Sequence, residues 1–442
     1  MKEDKLKKEV SGLSAFVMVV GTIIGSGIFF KPTAVFGAAG TAALGLAAWI
    51  IGGLLALSGG LTIAEIGTLI PETGGMMTYL EKIYGKFWGY LVAWVQTVIF
   101  YPVRIAAPAV ICGTQVVNLL GLEDNMIMPV AIAAVLFVSL INAAGNAATD
   151  VMQNVATALK FIPIVLIIFA GLFLNPDPVA VKLFPLTDTG RPFGAALSAS
   201  VLATFYAMDG WMNVTNIAGE MKNPGRDLPK AIIGGISMVT LAYLLINLAY
   251  LRVLPVSALA ASDTPASDVA NILFPNFGGK LITIGIMISV FGSQAGFVRA
   301  SWRVPYALGL RNLIPCPDFF GAVSKKSGMP VNSGISITVL SLIVLIAIAD
   351  FNLLTDIGSF VIWVFYILCF VGIFILRRRW SERERPYRVP LYPVMPLLGA
   401  AGGILVLIST VMYQPFVAAV SVLSVLAGVP VYAYVGRKTR LG

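Results

Sequence analysis

The chain has 442 residues, 58% of them hydrophobic and only 12% charged, with a mean hydropathy of +0.90 and a formal net charge of +9. A soluble domain carries about twice that charge fraction, so a water-soluble globular enzyme or nucleic-acid-binding domain is excluded and the chain reads as an all-α polytopic membrane protein. Histidine is absent and Cys112, Cys316 and Cys369 lie far apart, which rules out a histidine metal site and argues against a disulfide framework or a thiolate cluster.

A bilayer-spanning helix needs about 20 mainly apolar residues. Twelve candidate spans follow in chain order, at roughly 12–37, 41–69, 86–117, 126–146, 152–174, 193–217, 229–254, 279–309, 332–350, 354–376, 391–412 and 415–435. The charged start, Met1 to Glu9, is followed by no small-residue cleavage site, so the first span is expected to be retained. An even number of spans puts both termini on one side. Lysines and arginines concentrate in the segments on that side, including Lys222, Arg226, Lys230, Arg377, Arg378, Arg379, Arg383, Arg385 and Arg388. Lys31, Lys182, Arg191, Arg252 and Lys280 fall on the other side. The positive-inside rule therefore predicts cytoplasmic termini, and these loop charges are read as topology signals without chemistry. The long loop at about 253–278 is placed over the opposite entrance.

Span 1 carries Gly21-Thr22-Ile23-Ile24-Gly25-Ser26-Gly27 in mid-run. Glycine disfavours helix by roughly 1 kcal/mol relative to alanine, and lipid offers no water to satisfy a broken backbone. Two readings stand side by side: a close contact between helices through small residues, or an unwound stretch that presents backbone polar groups to a solute. Span 6 repeats the pattern with Phe205-Tyr206-Ala207-Met208-Asp209-Gly210-Trp211. Five spans separate the two breaks, so spans 1–5 and 6–10 would have opposite orientation. That is the sequence pattern of a transporter built from inverted repeats, with its site between the halves. The repeats would cover roughly 12–174 and 193–376, with spans 11 and 12 (roughly 391–435) outside them, in one transmembrane domain over residues 1–442.

Half-helix N-termini suit a carboxylate, and the freed carbonyls at the other half suit an ammonium. An α-amino acid carries both groups on one carbon. Gly25, Ser26 and Gly27 are therefore expected at the carboxylate, and the carbonyls of Ile23, Tyr206 and Asp209 at the ammonium. Tyr206 is placed as a lid over the solute and Phe297 as a wall of the side-chain pocket, with plain packing as the alternative for each aromatic. Lys160 lies deep in span 5, where a charge is costly and marks function by default. Its ammonium is expected to join span 1 to span 8 through carbonyls near Gly21 and Thr22 and the hydroxyl of Ser293. The alternative is a structural lysine paired with a carboxylate. Arg104, after Pro102 in span 3, is read as propping a kinked helix, with substrate contact as the alternative. Glu65 is read as an anchor or salt-bridge partner at the inner end of span 2.

These motifs carry a resemblance. Gly21–Phe29, Ala64-Glu65-Ile66-Gly67 with Pro71-Glu72-Thr73-Gly74-Gly75, Gly219-Glu220-Met221-Lys222-Asn223-Pro224 with Arg226 and Leu228–Ile232, Asn247–Tyr250, and Arg385-Pro386-Tyr387-Arg388-Val389-Pro390 occur in order. The chain is similar to the amino acid–polyamine–organocation superfamily, and within it to the L-amino-acid transporter group. The resemblance implies a LeuT-type fold, 5+5 inverted repeats with helices 1 and 6 broken, and sodium-independent exchange of small neutral amino acids such as alanine, serine, threonine and cysteine. It places Lys160 where sodium-coupled relatives bind the ion, and gives Tyr243 a role with Lys160 in closing the inner side. No cofactor and no metal are implied. The loop Asn118–Met126 lacks the cysteine by which some relatives hold a glycoprotein subunit, so a monomer without that partner is expected in the cell membrane. A proton-coupled symporter of the same fold is the alternative, and an amino-acid sensor without turnover is a remote one.

Overall fold

The computed structural model describes residues 10–72, 74–145, 155–156, 158–184, 186, 190–275 and 277–441. The predicted start of span 5 lies outside them, as do the lysines before residue 10. Among the described residues the fold is helical, and nine helices are long and apolar enough to cross a membrane. A tenth span is a pair, α1 (Gly12–Ile23) and α2 (Gly27–Ala39), bent by 46° at the break between them. The two remaining predicted spans are represented by shorter apolar helices, α7 (Phe161–Leu174) and α8 (Phe193–Met208).

The other principal elements are α3 (Ala42–Leu69), α4 (Gly75–Tyr84), α5 (Lys86–Leu120), α6 (Ile127–Ala144), α9 (Pro224–Val253), α10 (Val256–Ala261), α11 (Pro265–Leu273) and α12 (Phe277–Leu310). They are followed by α13 (Pro317–Phe320), α14 (Val331–Ile348), α15 (Phe351–Arg379), α16 (Val394–Tyr413), α17 (Pro415–Leu426) and α18 (Gly428–Leu441). The helices sort into two packed groups. One joins α1, α2, α3, α8 and α9; the other joins α5, α6, α12 and α14, with α15 packed against α5 as well as α3 and α8. Breaks in α1–α2 and after α8 therefore sit inside the first group and face the second.

Both breaks have local causes. α1 ends at Ile24, whose backbone is extended (ψ 103°), and α2 starts from Ser26. α8 ends at Asp209 in an extended conformation (ψ 159°), and Gly210 follows at φ 121°, a region that side chains other than hydrogen disfavour. The chain then runs as a 3₁₀ segment, Trp211–Glu220, rather than resuming an α-helix. The two breaks touch. A Cβ at Gly27 would lie 2.6 Å from Ala207 Cα, and one at Gly210 would lie 2.8 Å from the Thr22 carbonyl oxygen. Thr22 Oγ1 donates to the Gly210 carbonyl at 3.0 Å. The small residues thus serve close approach and unwinding at once, and the two readings of the span 1 motif are not exclusive.

A methyl group at Gly27 meets backbone that cannot move aside. Gly27→Ala is expected to destabilise the protein by about 1–3 kcal/mol, the usual range for overpacking. Gly37→Ala on the same helix, where the nearest atom would be 3.7 Å away, is expected to be neutral or mildly stabilising. Thermal unfolding of the two variants in one detergent compares them directly; equal melting temperatures would refute the close approach.

Candidate functional site

The break of α1–α2 leaves carbonyls without helical donors, as every helix C-terminus does. Lys160, just before α7 and 2% exposed, supplies them. Its ammonium donates to the Gly21 carbonyl at 2.5 Å and to the Ile24 carbonyl at 3.0 Å. A cation at a helix C-terminus is also favoured by the macrodipole. The expected hydroxyl partner, Ser293, differs: its Oγ bonds the Val290 carbonyl in its own helix at 2.9 Å. A serine inside a helix readily back-bonds in this way. Ser293 still adjoins the break, 3.1 Å from where a Cβ of Gly25 would sit.

The end of α8 is served in the same manner by Arg104 on α5. Its Nη1 donates to the Tyr206 carbonyl at 3.2 Å, and its Nη2 forms an ion pair with the Asp209 carboxylate. Tyr366 on α15 donates its hydroxyl to the other Asp209 oxygen at 2.6 Å. Arg104 therefore does not prop its own helix: its partners belong to the break of span 6. Its guanidinium lies over the rings of Tyr206 (4.3 Å), Phe297 (5.2 Å) and Phe100 (5.4 Å). A buried arginine needs both a counter-charge and hydrogen-bond acceptors, and here it has Asp209, a carbonyl and an aromatic cage.

Tyr243 on α9 ties the two breaks together. Its fully buried hydroxyl lies 3.1 Å from the Ile23 carbonyl and 3.2 Å from the Ala207 carbonyl. Opposite it, the Ser26 and Tyr206 hydroxyls are 3.0 Å apart. The structure thus gathers Ile23, Gly25, Ser26, Gly27, Lys160, Tyr206, Asp209, Tyr243, Ser293 and Phe297 around one locus. The Ile23 carbonyl accepts one donor, the Tyr243 hydroxyl, and keeps a second lone pair, whereas the Tyr206 carbonyl accepts two, Arg104 Nη1 and the Asp209 N–H at 3.4 Å. Beside Asp209 and Tyr366, a cavity of about 20 Å³ reaches Gln96, Asn213 and Asn216, room for a water molecule and too little for an amino acid.

Two ion-pair clusters close the locus off. Above it, Lys31 on α2 is fully buried and pairs with Asp356 on α15 at 2.8 Å, with its ammonium 6.0 Å from the Tyr206 ring centre. Reading Lys31 as a loop charge is therefore corrected. It lies inside the predicted first span and Asp356 inside the predicted tenth, an opposite-sign pair within apolar runs that was the available signal. At the arginine-rich end, Glu65 on α3 is fully buried and accepts from Arg377 at 2.9 and 2.6 Å, from Arg385 at 3.2 Å and from the Val389 backbone N–H at 2.7 Å. Both clusters are anchored on α15, one near each end.

A multi-pass helical bundle whose polar site lies at two facing helix breaks has the architecture of a membrane transporter for a small solute. Residues 10–435 match the amino acid permease family, and the chain belongs to it. It is 40% identical to the serine/threonine exchanger SteT of Bacillus subtilis, covering 98% of this chain and 97% of that one. The human b(0,+)-type amino acid transporter 1 is 30% identical, over 94% of this chain and 85% of its own. The human cystine/glutamate transporter is 27% identical, over 97% and 85%.

Removing one member of the Arg104–Asp209 pair strands the other in a dry site, which typically costs about 3–5 kcal/mol. Asp209→Asn and Arg104→Gln are each expected to destabilise by that order, and the double variant by less than their sum. A thermal-unfolding double-mutant cycle measures the coupling; simple additivity would show that the pair is not coupled.

Proposed function

We propose that this protein is a sodium-independent exchanger of small neutral L-amino acids such as alanine, serine, threonine and cysteine. In this reading it spans the cell membrane twelve times, in a LeuT-type arrangement of inverted repeats over roughly 12–174 and 193–376 with two further helices. Both termini are cytoplasmic and the chain works as a monomer without a glycoprotein subunit. The observation that carries the reading is the pair of facing breaks, each with a half-helix end and a hydroxyl: Ser26 on one side, Tyr206 on the other, 3.0 Å apart.

The substrate carboxylate meets the start of α2 at Gly25, Ser26 and Gly27, where the first N–H groups have no intrahelical acceptor. The ammonium meets the carbonyls of Ile23, Tyr206 and Asp209. The side chain lies toward Tyr206 and Phe297. Asp209 is the acidic group at the locus, and Arg104 neutralises it, which favours substrates without a side-chain charge. The ammonium of Lys160 holds the Gly21 and Ile24 carbonyls, acceptors that a sodium ion would otherwise share, and this supports sodium independence.

Transport proceeds by alternating access. The group of α1, α2, α3, α8 and α9 rocks against the rest, releasing Lys31–Asp356 for outward opening and the Glu65 cluster for inward opening. Obligatory exchange follows if the empty carrier reorients slowly.

Uptake of radiolabelled L-serine or L-alanine into liposomes, with no sodium and no pH gradient, tests the assignment. Counterflow into vesicles preloaded with unlabelled amino acid is the expected result; uptake that requires an imposed proton gradient would replace exchange with proton-coupled symport. Lys160→Ala is expected to lower the exchange rate by at least tenfold while the protein still inserts in the membrane. Exchange at the parent rate in that variant would remove Lys160 from the mechanism.

A further inference from the structure

Away from the transport locus, a groove of about 680 Å³ opens at the arginine-rich end, between the start of α9 and the 386–387 loop. It is lined by Lys222, Arg226 and Lys230 on one side and by Pro386 and Tyr387 on the other. The two sides are held in register. A Cβ at Gly225 would lie 2.7 Å from Pro386 Cβ, and the Lys222 N–H donates to the Val10 carbonyl at 3.1 Å. Arg226 spends its Nε on Asp227 at 2.8 Å. Lys222 and Lys230 are exposed and have no acidic partner among the described residues. The Tyr387 hydroxyl is shielded from solvent without a hydrogen-bond partner. Burial and the nearby Glu65 push that phenol up to about 12, so it remains a donor at physiological pH. The groove thus offers two free ammonium groups to an anion with several oxygens.

The same helix continues the groove with an apolar stripe. Ile233 lines its upper wall, and Leu241, about three turns on from Lys230 on the same face and 59% exposed, follows on that side. From Lys230 to Leu241 the helix rises about 16 Å at 1.5 Å per residue, about the depth of one leaflet of hydrocarbon. A soluble phosphate has no use for that stripe, whereas an acyl chain does. Three basic residues where a spanning helix leaves the membrane are also the pattern that attracts anionic headgroups.

We propose that this groove is a binding site for an anionic phospholipid, with the headgroup phosphate between Lys222 and Lys230 and an acyl chain along Ile233 and Leu241. The lipid bridges α9 of the first helix group and the loop that follows α15, beside the Glu65 cluster. The site is separate from the amino-acid locus and does not depend on which amino acid is carried.

Native mass spectrometry of the full-length protein in detergent, titrated with dioleoylphosphatidylglycerol or dioleoylphosphatidylcholine, tests this. The parent protein is expected to bind phosphatidylglycerol at least tenfold more tightly. Lys222→Gln with Lys230→Gln is expected to weaken that binding about twenty-fivefold, at about fivefold per lysine. Lys280→Gln, on an exposed residue at the opposite end, is expected to change nothing and controls for general loss of positive charge. Undiminished phosphatidylglycerol binding by the double lysine variant would overturn the site. So would displacement of the lipid by millimolar inorganic phosphate, which would make the groove a soluble-anion site. Both lysines are exposed, and an unchanged melting temperature in the double variant verifies that it is folded.

Discussion

Everything in this structure depends on how the carbonyls freed at two helix breaks are satisfied inside a membrane. Lipid supplies no donors there, and each unmatched group costs several kcal/mol. The protein meets the problem twice with the same device. A buried cation from a neighbouring helix takes the end of the first half-helix: Lys160 at Gly21 and Ile24, and Arg104 at Tyr206. Tyr243 then takes one carbonyl from each break, at Ile23 and Ala207. The half-helix dipoles reinforce the choice, since both cations lie at C-terminal ends. The polar locus exists because these donors make an interrupted backbone tolerable in an apolar interior.

The two cations are not equivalent, and the difference bears on chemistry. Lys160 bonds neutral carbonyls, whereas Arg104 also carries a carboxylate partner. The planar guanidinium can serve a carbonyl and a carboxylate in one plane while stacking on aromatic rings, which an ammonium cannot. Asp209 is fixed from its other oxygen by Tyr366. The locus is therefore close to electroneutral around α8.

How far the sequence foretold this follows from what kind of signal each feature leaves. The breaks were legible because glycine and polar residues interrupt long apolar runs, and Lys160 was legible because a lysine at mid-span has few innocent explanations. Its carbonyl partner near Gly21 follows from depth alone. The identity of the second partner did not follow, because whether Ser293 turns toward Lys160 or back to Val290 is decided by one side-chain rotation. Arg104 was seen as buried but assigned to its own helix: Pro102 beside it is a local signal, whereas Asp209, more than a hundred residues on, is a tertiary one. Lys31 was missed for a related reason. Counting charges by side treats every lysine near a span end as solvated, and only the matching depth of Asp356 reveals a buried pair.

The close approach of the breaks constrains any motion that opens the locus. With Gly27 against Ala207 and Gly210 against Thr22, the two breaks touch through backbone, and the 20 Å³ cavity beside Asp209 is too small for an amino acid. Space must come from displacing helices. α15 is the helix against which that displacement is resisted, because Asp356 near one end and Arg377 near the other bind it to α2 and α3 of the first group. A rigid helix tied at both ends can lose one tie while the other holds. Losing both together would strand the fully buried Lys31 and leave the fully buried Glu65 with only Arg385 and the Val389 N–H, a costly outcome for buried charges. In the proposed transport cycle, the same ion pairs would favour opening of the locus at one end at a time.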